Sequence, residues 1–379
     1  MITDKRTTLR PLLESSDGVH LTCYLLNRGD LIDLKRQLKD AMNEAYEFLH
    51  PVMPRDEQKR FLEPLDSLLH DARIFKKMKG NIGIFRTRDS FRVLNVPVDV
   101  EPACVIATSF HVKPLLKWIQ SDRDFLLLGL EDRAAHLYLG NQQSFSRIDS
   151  VLYPEALRLD ENSDDYASLK RKRTKGPKLR ETISWLNDWI CEVTGNARPK
   201  LFVAGRKELT DVFFAGLRYS NTVKTPVWPS FQESQVGEMT SVIRSHLKKE
   251  VSNKLEQALT EFRLAEDMNL TRKNIFQIAK AAIQGKVRKL IVADGIKIFG
   301  KIDAKSGGLS LHPYDLDHED DDILDDLAQT VLNQGGEVII ATREEIPKGR
   351  PALAILDYKD SSERELEYVG LSEPTERRA

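Results

Sequence analysis

The chain has 379 residues, of which 41% are hydrophobic and 30% charged, and its 57 Lys and Arg nearly balance 58 Asp and Glu for a formal net charge of -1. That length exceeds one ordinary core, so it predicts two or three soluble globular domains and excludes a small stapled scaffold. The near-zero sum averages over unlike segments, because positive charge gathers at residues 168–180 and negative charge at residues 315–326. A field of that kind can orient a protein on a charged partner without any large net charge.

Three cysteines, Cys23, Cys104 and Cys191, stand far apart without a CxxC pattern. Such an odd, sparse set argues against a disulfide framework and against a structural zinc site. The opening MITDKRTTLRPLLESSDG lacks the apolar core of a signal peptide. No stretch approaches the ~18 consecutive apolar residues of a spanning helix. The expectation is a reducing, aqueous compartment, the cytoplasm, with no membrane partner.

In chain order, VHLTCYLL reads as a strand and RGD as a turn. Leu34, Leu38, Met42, Ala45 and Leu49 recur at three- and four-residue steps, which predicts a helix from Leu31 to about Leu49. A second helix is expected after Pro54. GNIGIFRTRDSFRVLNVPVDV reads as two strands joined at TRDS, a turn-type cluster. The first domain is expected to close at SFHVKPLLKWIQ, where Pro114 and the polar QSDRD interrupt the pattern.

A hairpin follows, with FLLLGL and AAHLYLG flanking EDR. Its first strand is continuously apolar, as at the centre of a sheet. DENSDDYASLKRKRTKGPK carries no periodic apolar set and predicts a mobile loop. Leu179, Ile183, Leu186, Ile190 and Val193 then form one helical stripe with Trp185 and Trp189 beside it, and Pro177 suits its first turn. PKLFVAG is a buried strand and RKELTDVFFAGL a helix or turn.

From near Val236 one long charged helix is expected, then a second ending at Gly285. RKLIVADGIKIFGKID predicts a strand and a hairpin. DILDDLAQTVLNQGG reads as a helix stopped by Gly335 and Gly336. EVIIAT and PALAILDY complete a sheet. The fold class is therefore α/β, with both element types in every part. The domains are expected at 1–119, 120–235 and 236–379.

Chemistry-bearing patterns are sparse. No HExxH, nucleophile elbow or Walker loop appears, so no complete catalytic motif and no cofactor or metal site is expected. His136 alternates within a strand and reads as a half-exposed sheet residue. HEDDD at 318–322 lacks calcium-loop spacing, and its acids suit the start of the following helix as solvated caps. The basic run differs, because it precedes a helix, where positive charge opposes the macrodipole. Lys170, Arg171, Lys172, Arg173, Lys175, Lys178 and Arg180 could converge with free helix amides on a phosphate backbone. A solvated loop balanced by Asp160, Glu161, Asp164 and Asp165 is the alternative.

VHLTCYLLNRGD, the helix pair after it, IGIFRTRDSFRVLNVPV, SFHVKPLLKWI, FLLLGLEDRAAHLYLG and DDILDDLAQTVLNQGGEVIIATREEIPKGRPALAIL together resemble the bacterial proteins related to archaeal and eukaryotic class-one peptide-chain release factors and Pelota. The resemblance covers residues 19 to 358 and rests on segment order. It implies an N-terminal α/β domain, a ribonuclease-H-like middle domain, and a C-terminal sandwich like kink-turn-binding ribosomal proteins. It also implies a ribosome, ribosomal-RNA or transfer-RNA partner, and a protein partner for the C-terminal domain. In true release factors a Gly-Gly-Gln loop precedes a long helix of the middle domain. Here that place holds DYASLKRKRTKGPKLRETISWL, with Gly176 but no Gly-Gly-Gln. NQGG at 333–336 is a helix end elsewhere, and Gln142 and Gln143 lack paired glycines. Release by the standard loop is therefore not expected, and Pelota-like proteins also lack the tripeptide. The rival expectations are a hydrolase of peptidyl-tRNA or nucleic acid using Glu131 and Asp132, and a protein scaffold using the acidic 315–326 surface.

Overall fold

The computed structural model describes every residue except 1–4, 15–17, 72, 79, 97–99, 122–123, 143, 154–175, 196–197, 313–320 and 358–379, with backbone alone at 5–8, 176–180 and 321. The chain divides into two compact units. The smaller holds residues 1–8 and 121–252, the larger residues 9–120 and 253–379.

Helix α1 (Lys5–Leu13) contributes Leu9 and Leu12 to the core of the larger unit. Next come β1 (His20–Leu25), α2 (Leu31–Leu49), α3 (Arg55–His70) and the short α4 (Arg73–Lys77). Then follow β2 (Asn81–Arg86), β3 (Phe91–Val96), β4 (Ala103–Ala107) and α5 (Lys113–Ser121). The strands make an antiparallel sheet of order β3-β2-β1-β4. Asp30 starts α2 by accepting the Ile32 amide at 2.8 Å, as a helix cap should. The apolar stripe of α2, with Phe61, Leu62 and Leu65 of α3, covers Leu21, Cys23 and Leu25 of β1. Tyr24 points to the opposite face with Phe85 and Phe110. Both faces of β1 are covered, which is why it is buried throughout.

The smaller unit opens with β5 (Phe125–Leu130), β6 (Ala134–Gly140) and β7 (Phe145–Leu152). It continues with α6 (Gly176–Thr194), β8 (Lys200–Gly205) and α7 (Lys207–Ala215), and ends within α8 (Val236–Asp267). Its sheet has the order β7-β6-β5-β8, with β5 and β8 parallel and the other pairs antiparallel. Leu126, Leu128 and Leu130 meet Ile183, Leu186 and Ile190 of α6 on one face. Phe125 and Leu127 meet Phe231, Met239, Ile243 and Leu247 on the other. Two covered faces account for the unbroken apolar run of β5.

The larger unit resumes at residue 253, where Leu255, Ala258, Phe262 and Ala265 of α8 line one buried stripe. There follow β9 (Thr271–Arg272), α9 (Ile275–Ile283), β10 (Val287–Ala293), β11 (Phe299–Ile302) and β12 (Leu309–Leu311). The last elements are β13 (Asp321–Asp322), α10 (Ile323–Asn333), β14 (Glu337–Ala341) and β15 (Ala352–Leu356). Their main sheet runs β14-β10-β15-β9, with β10 parallel to β14, and a small sheet runs β12-β11-β13. Val112, Leu115 and Trp118 share one core with Ile291, Leu324, Leu327 and Ile340. At 1.5–3 kcal/mol for each large apolar side chain buried, on the order of ten such residues hold the two segments of this unit together.

The mixed α/β class read from the sequence is the class observed. Two local expectations fail. Pro114 is the second residue of α5, where a missing N–H costs nothing, so it begins a helix instead of interrupting one. And β10 forms no hairpin with β11, which pairs with β12 and β13 in the other sheet. A β-carbon at Gly129 of β5 would sit 2.2 Å from the Phe231 ring. Gly129→Ala should therefore lower the unfolding free energy by about 1–3 kcal/mol in a urea titration, the range for overpacking.

Candidate nucleic-acid interface

The charge run lies between two anchored points of the smaller unit. On one side Tyr153, 2% exposed, donates its amide to the Arg133 carbonyl at 2.9 Å. On the other, α6 is fixed by its buried Ile183, Leu186 and Ile190. Trp189 Nε1 donates to Asp149 Oδ2 of β7 at 2.8 Å, and the Trp185 ring meets Tyr153 edge-on at 6.4 Å. Buried Asn187 donates to the Gly216 carbonyl and accepts the Arg218 amide, joining α6 to the end of α7. These ties hold the helix axis firmly.

Lys170, Arg171, Lys172, Arg173 and Lys175 lie outside the described residues, as does the expected mobile loop up to residue 175; its last three residues, 176–178, are not loop but the opening of α6. Lys178 and Arg180 stand in the first turn and a half of α6, where the backbone alone is described. Pro177 is the second residue of that helix, the first-turn place expected for it. The first turn carries no acidic residue. The helix N-terminus therefore keeps its positive end uncompensated from within, at the place where the basic run arrives.

The rival carboxylates do not converge. Asp132 is paired with Arg206, the residue that precedes α7. Glu131 turns instead toward His136, with 3.8 Å between Oε2 and Nε2. His136 stacks on Phe231 at 5.4 Å, and its Nδ1 meets Ser150 Oγ at 2.6 Å and Glu233 at 3.9 Å. Glu233 also holds Arg147. Among the described residues, no group of three His, Cys, Asp or Glu side chains could hold a metal ion. A charged, open cleft of about 640 Å3 in the larger unit is lined by Arg263, Arg343, Lys348, Glu344 and Glu345.

The acidic segment departs from expectation. Asp322 caps α10, accepting the Leu324 amide, so the capping half of the reading holds. Solvation does not: Asp322 and Asp325 are 7% and 3% exposed. Lys113, itself buried, donates to Asp322 Oδ2 at 2.5 Å and to the Ile296 carbonyl at 2.7 Å. Asp325 accepts the Val112 and Lys113 amides at 3.0 and 2.6 Å and Gln329 Nε2 at 3.0 Å. Asp326 accepts from Ser109 Oγ at 2.9 Å. These three carboxylates bind a segment of the same chain, so they offer no free surface to a protein partner. Residues 315–320 lie outside the described residues. No spacing in the sequence links Lys113 to Asp322. The hint was an acid-rich helix start whose apolar stripe includes a carboxylate.

No protein-family model matches the chain, and no curated protein matches it. Among solved structures, S. cerevisiae Dom34, described as a translation termination-like factor involved in RNA quality control pathways and interacting with Hbs1, aligns at 15% identity over 73% of this chain and 79% of its own, with a TM-score of 0.42. The archaeal translation termination factor aRF1 aligns at 13% identity over 94% and 99%, with a TM-score of 0.23. Archaeal Pelota, from a model of ribosome-bound Pelota and ABCE1, aligns at 10% identity over 94% and 95%, with a TM-score of 0.38.

Removing the cation from a buried pair strands its partner's charge, so Lys113→Met should cost about 3–5 kcal/mol in urea unfolding. The same cluster sets a pH dependence through His111, which is buried beside Asp325 at 3.7 Å. Burial pushes its imidazole below the ordinary 6.5, against the pull of Asp325 and Asp322 and with the help of Lys113 and Lys297. The unfolded chain then takes up the proton first, and stability is lost as pH falls through 6.5 toward the folded value. Burial pushes the Asp325 carboxyl above its ordinary 3.8, so its contribution runs the opposite way. Between about pH 7.5 and about pH 5.5, His111→Gln should therefore lose less unfolding free energy than the wild type, measured in paired urea titrations.

Proposed function

We propose that this chain is a translation-associated factor of the release-factor and Pelota kind, one that contacts ribosomal or transfer RNA through residues 168–180. One observation carries the reading: seven basic side chains in that stretch run directly into the N-terminus of α6, a helix with no acid in its first turn. Charge placed there works against the helix unless an anion answers it. A phosphate backbone supplies that anion, and free helix amides and Lys/Arg side chains are the groups that bind it. The order of segments along residues 19–358, similar to bacterial relatives of class-one release factors and Pelota, makes the RNA that of the translation apparatus.

In this reading residues 1–119, 120–235 and 236–379 are the three inherited domains, the middle one ribonuclease-H-like and the last like kink-turn-binding ribosomal proteins. The last also recruits a protein partner. Work is done in the cytoplasm by binding, because the chain has no Gly-Gly-Gln for ester hydrolysis and Asp132 is engaged by Arg206. No helix among the described residues is long and apolar enough to cross a membrane.

Sucrose-gradient sedimentation of lysate tests the reading. Wild-type protein should travel with ribosomal particles, and a variant with Lys170, Arg171, Lys172 and Arg173 changed to Glu should stay at the top. Both proteins at the top would overturn it. With purified single-stranded RNA, log K against log[salt] should fall with a slope near ~-5, from about -0.7 for each of seven phosphates. A flat slope would remove the electrostatic part of the argument.

A further inference from the structure

Cys23 and Cys104 look unrelated in the sequence, 81 residues apart. In the sheet they are directly opposed residues of β1 and β4, with their sulfurs 3.5 Å apart. Opposed residues of an antiparallel pair have Cα separations of roughly 4.5–5.5 Å, inside the roughly 4.4–6.8 Å that a disulfide spans. The register and the sulfur separation thus place the pair within reach of a disulfide. We propose that Cys23 and Cys104 are an oxidative modification site, closing to a cross-strand disulfide when the protein meets a peroxide.

The two thiols have different access, and this orders the chemistry. Cys23 is fully buried, whereas Cys104, on the edge strand, is partly exposed. The hydrogen bond to Cys104 and then burial push the Cys23 thiol well above its ordinary range. Cys104 is therefore the thiol placed to attack peroxide, because that step needs access and Cys23 has none. An S–O bond forms, the O–O bond breaks, and the departing hydroxide takes a proton and leaves as water. Cys104 is then a sulfenic acid. The Cys23 sulfur displaces its hydroxyl, the S–S bond forms, the S–O bond breaks, and the Cys23 proton leaves in the second water. Two thiols have given up two electrons, and one peroxide has accepted them. Cys191, the remaining free thiol, serves as internal control.

The site lies where a covalent link has a structural effect. β4 is the outer strand of its sheet, paired on one side by β1. Its chain continues into Ser109, Val112 and Lys113, the segment held by Asp325 and Asp326. A disulfide would fasten that edge to the central strand and keep it from fraying.

The test uses the full chain. Reduced protein is treated with hydrogen peroxide, remaining thiols are alkylated after denaturation, and a non-reducing digest is mapped by mass spectrometry. The expected product is one cross-linked peptide pair containing Cys23 and Cys104, lost on reduction, with Cys191 alkylated as before. In C104S the cross-link should be absent and Cys23 should remain alkylatable. Three results would overturn the proposal: all cysteines still alkylatable, Cys104 oxidised to sulfinic acid beside a free Cys23, or cross-links that run through Cys191. The wild-type map decides the matter even if C104S fails to fold.

Discussion

Two helices of the larger unit, α5 and α10, begin at the same buried spot, and each brings the partial positive charge of its N-terminus. Left alone, those ends and their free amides would repel and remain unsatisfied in a region that excludes water. Asp322 and Asp325 resolve the conflict. One caps its own helix while accepting the Lys113 ammonium, and the other accepts the opening amides of α5. Lys113 adds a positive charge, so the two carboxylates are balanced by one ammonium and two helix ends. Taking either ion of the Lys113–Asp322 pair leaves the other buried without its partner, and taking Asp325 leaves the opening amides of α5 without an acceptor. Around the polar knot lie Phe110, Val112, Leu115, Ile323 and Leu324, which seal it from solvent. The apolar core supplies adhesion, while the carboxylates fix which residue meets which. The first sheet and the last sheet of the chain are joined there, in one unit.

Much of the local structure was legible because it depends on near neighbours. The Leu34 to Leu49 stripe marked α2, since a covered helix face leaves a period of 3.6 in the sequence. TRDS marked the β2–β3 turn, where Thr87 donates its amide to Ser90. FLLLGL marked an interior strand because both its faces are covered. β4 and β7 left weaker traces. Each is an edge strand with one face partly open: β7 carries neither strict alternation nor an apolar run, and ACVIA of β4 is apolar throughout but only five residues long, too short a run to tell strand from helix.

What could not be read was everything set by long-range pairing. Cys23 and Cys104 are remote in sequence and adjacent across a ladder. Asp325 belongs to the acidic 315–326 stretch that the sequence offers as a surface, and only the docking of α5 makes it a buried acceptor. Pro114 has the same lesson in reverse. A proline is a breaker or a starter according to what precedes it, and here the preceding residues are held in place by carboxylates far along the chain. The candidate interface divides in the same way. Its charge is visible in the letters, whereas the anchoring of α6 through Trp189 and Asn187 is visible only in the fold.

The larger unit is discontinuous, its segments 9–120 and 253–379 separated by most of the smaller one. During synthesis the first segment emerges with β1 to β4 able to pair and with α2 and α3 able to cover one face. Its other face, with Tyr24, Phe85, Val96 and Phe110, shares a core with α1 and α5 of the same segment but lacks the larger part of that core until residues beyond 253 have been made. At roughly 5–20 residues per second, that surface waits on the order of ten seconds or more. The smaller unit can meanwhile close almost entirely from contiguous chain. A ribosome making this protein thus completes the smaller unit while the larger one still waits for its second segment, and that waiting surface is where nascent-chain chaperones have something to grip.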